Sequence, residues 1–510
     1  MTLPALLAVV GGVAATVLAD VRWLRVAQRE HYLAGSATRF ALRWWRLGPN
    51  RLLGAAAGAG VVLSPLSPFC ALAGVAAVAV GPFRYSLLGR SPGPVVWTSR
   101  LRAVAAVTAA VQVVVVAAGV VLGAGVEVSA LAALTSPLAV DAALAALRPV
   151  EDHKAEVFVR RAERRLAEVE PTVVAITGSY GKTTTKAYAA HLMRGAMSVV
   201  ATPASFNNRA GLSRAVNEHL EAGTEVFLAE MGTYGPHEIA DLCAWCPPRV
   251  AAITAIGPVH LERFGDLDAI VRAKAEIFER AEVAVLNVDE PRLAALADAS
   301  DIEVVRCSAT DPRADVCACV VDGRMVVSRR GSPIADITAP DAAPGNVAVA
   351  VALALAVDVP VGAVASALAD LPAVPSRGAL TTLSTGATAI DDTFNSNPAG
   401  CRAALATLAR VAREGHRRVV VTPGMVELGR CQAPENMTFA ALAAAAATDV
   451  VVVGFTNRPA LLAGSREVPS PERAQVLVAD THERAVEWVR ANTTEGDVVL
   501  YENQLPDHYP

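Results

Sequence analysis

The chain has 510 residues, 53% of them hydrophobic, with a mean hydropathy of +0.39 and a formal net charge of −4. That apolar balance excludes an ordinary soluble enzyme, and the lack of a basic excess excludes nucleic acid as the expected partner. Eight cysteines in so long a chain do not make a disulfide framework. Cys243-Ala-Trp-Cys246 is a lone CxxC, and Cys317-Ala-Cys319 has the wrong spacing for a zinc ribbon, so both read as small buried residues.

The apolar excess lies in the first 150 residues, in Met1–Leu18, Leu52–Val80, Val104–Gly123 and Val128–Leu147. A span needs ~20 apolar residues to cross ~30 Å of hydrocarbon, so the first and the last two read as single spans. Leu52–Val80 is interrupted by Pro65 and Pro68. It reads as two short helices hinged at the prolines or as one re-entrant hairpin, and either leaves its ends on one side. No polar face runs along these stretches, and Asp141 is the one charge inside the fourth. The expectation is a transmembrane helical region over residues 1–150 with about four to five spans.

Arginines orient it. Arg22, Arg25, Arg29, Arg39, Arg43, Arg46 and Arg51 fill the first connection, Arg84, Arg90, Arg100 and Arg102 the next, and Arg148, Lys154, Arg160 and Arg161 follow the last span. All three segments belong on the cytoplasmic side, which places Met1 outside and everything after Arg148 in the cytosol. Met1–Leu18 lacks a basic n-region and more spans follow, so it is not expected to be a cleaved signal. Trp23, Trp44 and Trp45 among arginines predict a helix at headgroup level over Arg22–Trp45. Arg148–Glu170 reads as a charged, solvated helical linker.

The next domain is expected over residues 151–373. Pro171–Thr177 predicts a buried strand running into Gly178-Ser179-Tyr180-Gly181-Lys182-Thr183-Thr184-Thr185 and an Ala-rich helix through Met193. Glycines let backbone N–H groups turn around phosphates, and the helix N-terminus adds its positive end. Lys182 can then reach the terminal phosphates and Thr183 can offer a hydroxyl to Mg²⁺, although Ile176 stands where longer loops of this kind begin with glycine. A strand Glu225–Ala229 delivers Glu230-Met231-Gly232, and a strand Val250–Ile256 ends in Gly257-Pro258-Val259-His260-Leu261-Glu262. Both place donors at strand ends where α/β ligands and phosphate-bridging metals sit. Arg272–Phe278 predicts a helix carrying Lys274, by itself read as a solvated lysine. The strand Val283–Leu286 ends in Asn287-Val288-Asp289-Glu290, a polar cluster suited to base or ribose.

The last domain is expected over residues 374–510, after a hinge at Pro372–Pro375. Its strands and helices alternate through Ala387–Ile390, Ala399–Arg413, Arg418–Thr422, Asn436–Ala447, Val450–Val453 and Asp497–Tyr501. That pattern predicts a parallel sheet covered on both faces. A hairpin-like insertion is expected around Asp315–Ser328.

This ordered series resembles the Mur ligase family, and within it the branch that adds D-alanyl-D-alanine to UDP-muramoyl-tripeptide. The matching motifs are Gly178–Thr184, Phe206-Asn207-Asn208, Glu230-Met231-Gly232, Gly257–Glu262, Lys274–Phe278, Leu286–Asp289, Ile390–Pro398 and Gly424-Met425-Val426-Glu427-Leu428-Gly429. The resemblance implies an α/β protein with a central P-loop ATPase domain and a Rossmann-like C-terminal domain. It implies ATP and Mg²⁺ as cofactors, bound through Gly178, Ser179, Tyr180, Gly181, Lys182, Thr183 and Thr184. Lys182 would contact the β- and γ-phosphates, and Thr183 and Glu230 would hold one Mg²⁺. His260 would hold a second with a carbamylated Lys274. Asn287 would meet adenine, and Arg377 with Asp391 or Asp392 would close over the nucleotide. Asn207 and Asn208, with Asn395 and Asn397 of the later motif, would lie on the substrate side.

The implied reaction activates a carboxylate as an acyl-phosphate and joins it to an amino acid or dipeptide amine. Anion attacks anion there, so metals and lysine must neutralise the developing charge, and water must be excluded. Three departures stand out. Membrane spans occupy the place of the family's UDP-sugar-binding domain, which turns the expected acceptor towards a lipid-linked or other envelope precursor. Gly345-Asn346 replaces the usual His-Asn, and Tyr501-Glu502-Asn503-Gln504-Leu505-Pro506 replaces a basic Lys-Gly-Ser-Arg-like ending. The competing readings are a polyglutamate-type ligase of the same fold and a nucleotide-binding membrane regulator or scaffold. The expected place is the cell membrane, multi-pass, with the catalytic domains cytoplasmic.

Overall fold

A computed structural model describes residues 2–46, 50–80, 95–338, 343–372, 374, 378–394, 396–505 and 509. The chain divides into two compact units, Met1–His153 with Leu505–Pro510, and Lys154–Gln504.

The first unit is helical: Leu3–Arg29, Ser36–Trp45, Asn50–Leu63, Pro68–Val80, Ser99–Val121 and Gly125–Val169, the division between units falling inside the last. Among the described residues, Leu3–Arg29, Ser99–Val121 and Gly125–Val169 are long and apolar enough to cross a membrane by length and composition. The prolines split the second apolar stretch into two helices of 14 and 13 residues, each too short for the ~20 residues of one crossing. They pack backbone to backbone: a Cβ on Gly60 would lie 2.4 Å from the Gly74 Cα.

Two expectations are corrected here. The linker predicted from Arg148 is not a separate element, because the helix that carries the fourth stretch continues through Pro149 to Val169. The single helix predicted over Arg22–Trp45 is instead two, since Trp23 belongs to the first long helix and a separate helix covers Ser36–Trp45, and both Trp23 and Trp44 are core residues packed with Phe40 and Leu24. The Arg22 guanidinium covers Trp44 at 4.0 Å from its ring centroid, so the tryptophan serves as a buried cation–π platform. Carboxylates knit the helices. Asp20 accepts from Gln112 Nε2 at 3.0 Å and from Ser136. Asp141 caps Ser36–Trp45 by accepting from the Ala37 and Thr38 N–H groups at 3.2 and 2.8 Å.

In the second unit the strands are β1 (Thr172–Thr177), β2 (Val199–Ala201), β3 (Val226–Glu230), β4 (Val250–Ile253), β5 (Val283–Asn287), β6 (Glu303–Ser308), β7 (Val316–Val321), β8 (Arg324–Arg329) and β9 (Ser332–Thr338). Among the described residues they form one sheet, ordered β2-β3-β1-β4-β5-β6-β7-β8-β9. Pairs from β2 to β7 are parallel, and β7-β8-β9 is an antiparallel meander. The insertion predicted as a hairpin is thus one strand longer and continues the sheet. Its central strands are unbroken Val/Ile/Leu/Ala runs because both faces are covered. Helices Lys182–Arg194 and Pro344–Ala356 lie in the core on one face. Leu212, Ile239, Leu242 and Ile270 pack on the other.

The C-terminal strands are β10 (Ala379–Thr382), β11 (Thr388–Asp392), β12 (Arg418–Thr422), β13 (Asp449–Val453), β14 (Gln475–Ala479) and β15 (Val498–Glu502), ordered β10-β11-β15-β12-β13-β14. All pairs are parallel except β10-β11. The sheet is therefore mixed, with β10 and β14 added to the predicted strands. β10 was hidden because it is largely exposed and polar, reading Ala-Leu-Thr-Thr.

Candidate functional site

β1 ends at Thr177, and the chain turns through Gly178 (φ +151°) and Gly181 (φ +77°) into helix Lys182–Arg194. Both glycines hold positive φ, which L side chains rarely adopt. A Cβ on Gly178 would lie 2.0 Å from Thr254 Oγ1, and one on Gly181 would lie 2.3 Å from Asn346 Oδ1. Ser179 fastens the turn to the next strand end, donating its N–H to Ala255 O at 2.8 Å and accepting from Gly257 N at 3.0 Å. Tyr180 lies over Gly257, which has no room for a side chain beneath the ring. The phenol oxygen is buried and makes no hydrogen bond among the described residues, and burial raises its pKa far above the ordinary range. Lys182 Nζ donates to Gly178 O at 2.6 Å, folded back over the loop, and Thr184 lies in the first helical turn. The turn thus sets a helix N-terminus and a lysine side by side, a combination suited to phosphate.

Glu230, at the end of β3 and 1% exposed, is the hub beside this loop. Thr183 Oγ1 donates to one carboxylate oxygen at 3.0 Å and Lys186 Nζ lies 2.9 Å from the same atom. Asn207 Nδ2 donates to the other oxygen at 3.2 Å. Lys186 is held in turn by Ala204 O at 2.6 Å. Asn208 acts as N-cap of helix Arg209–His219, accepting from Gly211 N at 2.9 Å.

His260 and Glu427 meet through Nδ1 and a carboxylate oxygen, and both hold left-handed backbones, with φ of +55° and +64°. Such residues concentrate at sites whose surroundings over-determine them. Tyr234 packs edge-on against His260, ring centroids 4.7 Å apart. The Glu427 loop is braced by two buried carboxamides. Asn436 accepts from Met425 N at 2.8 Å, and Asn457 donates to Pro423 O and Met425 O at 3.0 and 2.9 Å. Lys274 is buried near the end of helix Leu267–Ala275. Burial first, and then the Lys182 charge, push its pKa well below the ordinary lysine value. Glu276 caps the neighbouring helix, accepting from His237 N and Ala240 N at 2.7 and 3.1 Å.

Asn287 Nδ2 donates to Thr254 O at 3.3 Å, and a Cβ on Gly345 would come within 3.1 Å of that nitrogen. Gly345 therefore stands where the chain passes close to the Asn287 carboxamide. Asp391 accepts from Thr393 N at 3.2 Å, and Asp392 lies in register with Glu502 on β15. Asn397 caps helix Pro398–Val411 through Gly400 N at 2.8 Å. Arg377 and Asn395 lie outside the described residues, as does part of the expected hinge.

The structure thus brings Thr183, Glu230 and Asn207 together beside the phosphate loop, puts Lys274 within electrostatic reach of Lys182, and joins His260 to Glu427. Among the described residues no three His, Cys, Asp or Glu side chains form a metal cage. The oxygens of Thr183 and Glu230 are hard donors of the type Mg²⁺ takes when phosphates and water complete its shell.

Residues 176–334 match the family model described as the Mur ligase middle domain, and residues 377–501 match the Mur ligase glutamate ligase domain. Over 369 residues the chain is 32% identical to the UDP-N-acetylmuramoyl-tripeptide–D-alanyl-D-alanine ligase of Mycobacterium leprae, covering 64% of this chain and 70% of that one. The chain belongs to the Mur ligase family. It is an ATP-dependent ligase of the Mur type, α/β with two sheets and an added N-terminal helical region. A crystal structure of MurF from Acinetobacter baumannii shares its fold, with a TM-score of 0.60 at 24% identity over 69% of this chain and 77% of that one. MurF from Thermotoga maritima, solved in complex with ADP, gives a TM-score of 0.57 at 25% identity over 69% and 80%.

Sequence reasoning missed two residues of this Mur ligase site. Lys186 is four residues beyond Lys182, and four places further along a helix is the same face, so a second lysine there was a usable signal. Thr254 carried none: its hydroxyl donates to Tyr180 O and fills the space that Gly178 vacates.

Proposed function

We propose that this Mur ligase works at the inner face of a membrane, forming an acyl-phosphate from the carboxylate of a cell-envelope precursor and coupling it to the amine of an amino acid or dipeptide. The precursor belongs to peptidoglycan synthesis and is either soluble or lipid-linked. The observation that carries the reading is the Glu230 carboxylate, buried beside the phosphate loop and shared by Thr183, Lys186 and Asn207.

Residues 1–150 form the membrane region, 151–373 the ATP-binding domain and 374–510 the C-terminal domain. Loop residues 178–184 bind ATP, with Lys182 on its terminal phosphates. Thr183 and Glu230 would hold a Mg²⁺, which would supply positive charge beside the phosphates. His260 and a carbamylated Lys274 would serve a second ion. Glu427 on His260 Nδ1 fixes the ring, and Nε2 would then be the nitrogen to serve a metal. Asn287, Arg377, Asp391 and Asp392 serve the nucleotide, and Asn207, Asn208, Asn395 and Asn397 the substrates.

Membrane anchoring is supported by the outward faces of the long helices. Val10, Val17, Val113, Val114, Val121 and Leu122 are exposed there, an apolar surface suited to lipid rather than water.

The test is ATP hydrolysis by the detergent-solubilised full chain, screened over pairs of envelope precursor and amine. Phosphate release that requires both partners and is lost in Lys182→Ala supports the ligase. Nucleotide binding with no precursor- or amine-dependent turnover across the screen would leave a regulator instead.

A further inference from the structure

The helix that carries the last apolar stretch, Gly125–Val169, does not end with it, and residues from Lys154 onward belong to the catalytic unit. Val159, Ala162 and Leu166 recur at i, i+3 and i+7, which puts them on one helical face. They are buried in the same core as Leu212, Ala215 and Val216 of helix Arg209–His219. Two backbone acceptors fix the seam. Asn217 Nδ2 donates to Phe158 O at 3.0 Å, and Arg165 Nε donates to Leu220 O at 3.1 Å. Glu156 pairs with Arg209 at the start of that helix; both side chains are part-exposed, so this contact adds register more than stability.

Helix Arg209–His219 begins at the substrate side. Its N-cap is Asn208. The preceding Asn207 donates its side chain to Glu230 at 3.2 Å, and its carbonyl accepts from Gly232 N at 2.7 Å. Arg209 therefore follows directly on the two asparagines proposed to face the substrates. From Leu147, the last residue of the fourth apolar stretch, the chain runs nine residues to Glu156, about 14 Å of helix at 1.5 Å each. A flexible linker would anchor the enzyme equally well. A continuous helix packed on Arg209–His219 instead sets the length of chain between the last apolar stretch and the asparagine loop. A set length matters only to a substrate that is itself held in lipid. Three extended peptide residues reach about 10 Å, so a sugar and short peptide on a lipid headgroup match that length.

We infer that the acceptor of this ligase is carried on a membrane lipid, and that helix Gly125–Val169 is the ruler that matches its carboxylate to the loop of Asn207 and Asn208. The inference rests on the ligase and bilayer readings above, and it chooses the lipid-linked precursor over the soluble one. Confinement of enzyme and acceptor to one surface raises their effective concentration, which offsets a weak intrinsic affinity for the acceptor.

The experiment places the full chain in vesicles with ATP and Mg²⁺ and offers one muramoyl-tripeptide on two carriers. One carrier is a polyprenyl diphosphate in the same bilayer, the other uridine diphosphate in solution. The carboxylate attacks the γ-phosphorus and ADP leaves. Hydroxylamine stands in for the amine: its nitrogen attacks the acyl-phosphate carbonyl, phosphate leaves, and a hydroxamate accumulates. Wild type should form hydroxamate at least tenfold faster from the lipid-carried acceptor at equal total concentration. Insertion of seven alanine-rich residues after Asp152 adds two helical turns, about 10 Å, and keeps the helix phase. It should lower the lipid-carried rate tenfold or more while leaving the uridine-carried rate and ADP binding unchanged. A uridine-carried rate equal to or above the lipid-carried one in wild type would overturn the inference and leave the ligase standing. So would a lipid-carried rate that the insertion does not touch. Hydroxamate from neither carrier would sink the ligase reading for this precursor, and the inference with it. Sedimentation of wild type with the vesicles after an alkaline wash tests the bilayer reading separately, and release by the wash would remove the ruler.

Discussion

Lys186 Nζ lies 2.9 Å from a Glu230 carboxylate oxygen, and both side chains are almost wholly buried, at 6% and 1% exposure. The pair closes the inner side of the phosphate loop: Thr183, the second residue of its helix, shares that same oxygen. A buried carboxylate needs a counter-charge, and removal of one partner from such a pair typically costs about 3–5 kcal/mol.

Lys186→Met should therefore lower the melting temperature of the chain markedly. A divalent cation at Glu230 supplies the missing positive charge, so Mg²⁺ with ADP should raise the melting temperature of Lys186→Met more than that of wild type. ADP with a chelator should not show this excess. Equal Mg²⁺-dependent shifts in both proteins would mean that Glu230 does not face the metal.

Gly181 should tolerate no side chain. Its φ of +77° already costs any L-residue about 1–2 kcal/mol, and a Cβ would strike the Asn346 carboxamide. Gly181→Ala should weaken ADP binding at least tenfold by calorimetry. Adding Asn346→Ala removes the obstruction but not the backbone strain, so the double variant should recover only part of the affinity. Full recovery would assign the effect to Asn346 alone.

The parallel strands and the phosphate loop were legible because their signals are local. A run such as Thr-Val-Val-Ala-Ile-Thr followed by Gly-Ser-Tyr-Gly-Lys-Thr has one reading as strand, turn and helix. Helix Gly125–Val169 was split in the sequence reading because composition changes at Arg148, whereas the backbone hydrogen bonds continue past Pro149. Charge patterns report solvent, and they do not report where a helix stops. The break between the helices carrying Trp23 and Trp44 was not legible, because tryptophans among arginines look alike on one helix or two, and here Arg22 of the first helix stacks on Trp44 of the second. Asn436, Asn457 and Glu502 gave no signal, since each acts on residues distant in the chain.

Glu502 should make the stability of the C-terminal sheet depend on pH. It is fully buried at the end of β15, accepting from Thr422 Oγ1 at 3.0 Å and from Ser396, with the Cys401 thiol 3.0 Å away. Burial chiefly, opposed by these hydrogen bonds and aided by the Asp392 charge, raises its pKa from 4.5 to about 7. The folded state thus binds a proton that the unfolded chain has released between those values. The stabilisation from this group is complete below about 4.5 and is lost as pH rises through about 7, on the order of 3 kcal/mol in all. Glu502→Gln keeps the volume and stays neutral. Its melting temperature should exceed that of wild type at pH 8 and lose the advantage at pH 5. Parallel melting curves for the two proteins across that range would refute the assignment.

Lys274 gives the sharpest test of the second metal. Carbon dioxide reacts with a neutral amine, forming an N–C bond and releasing one proton, to leave an anionic carbamate in place of a cation. Burial and the nearby Lys182 charge both favour the neutral amine here, so the condition for that reaction is built into the site. An ammonium in the same position would repel Mg²⁺, whereas a carbamate offers it oxygen. Lys274→Ala should abolish ATP-dependent ligation while leaving ADP binding within a few-fold of wild type. Formate or acetate should then restore part of the turnover by placing a carboxylate in the vacated space. The same anions should not rescue Lys182→Ala, whose loss is a cation. Rescue of both variants, or of neither, would remove the carbamate from the mechanism, and intact turnover of Lys274→Ala would remove the lysine altogether.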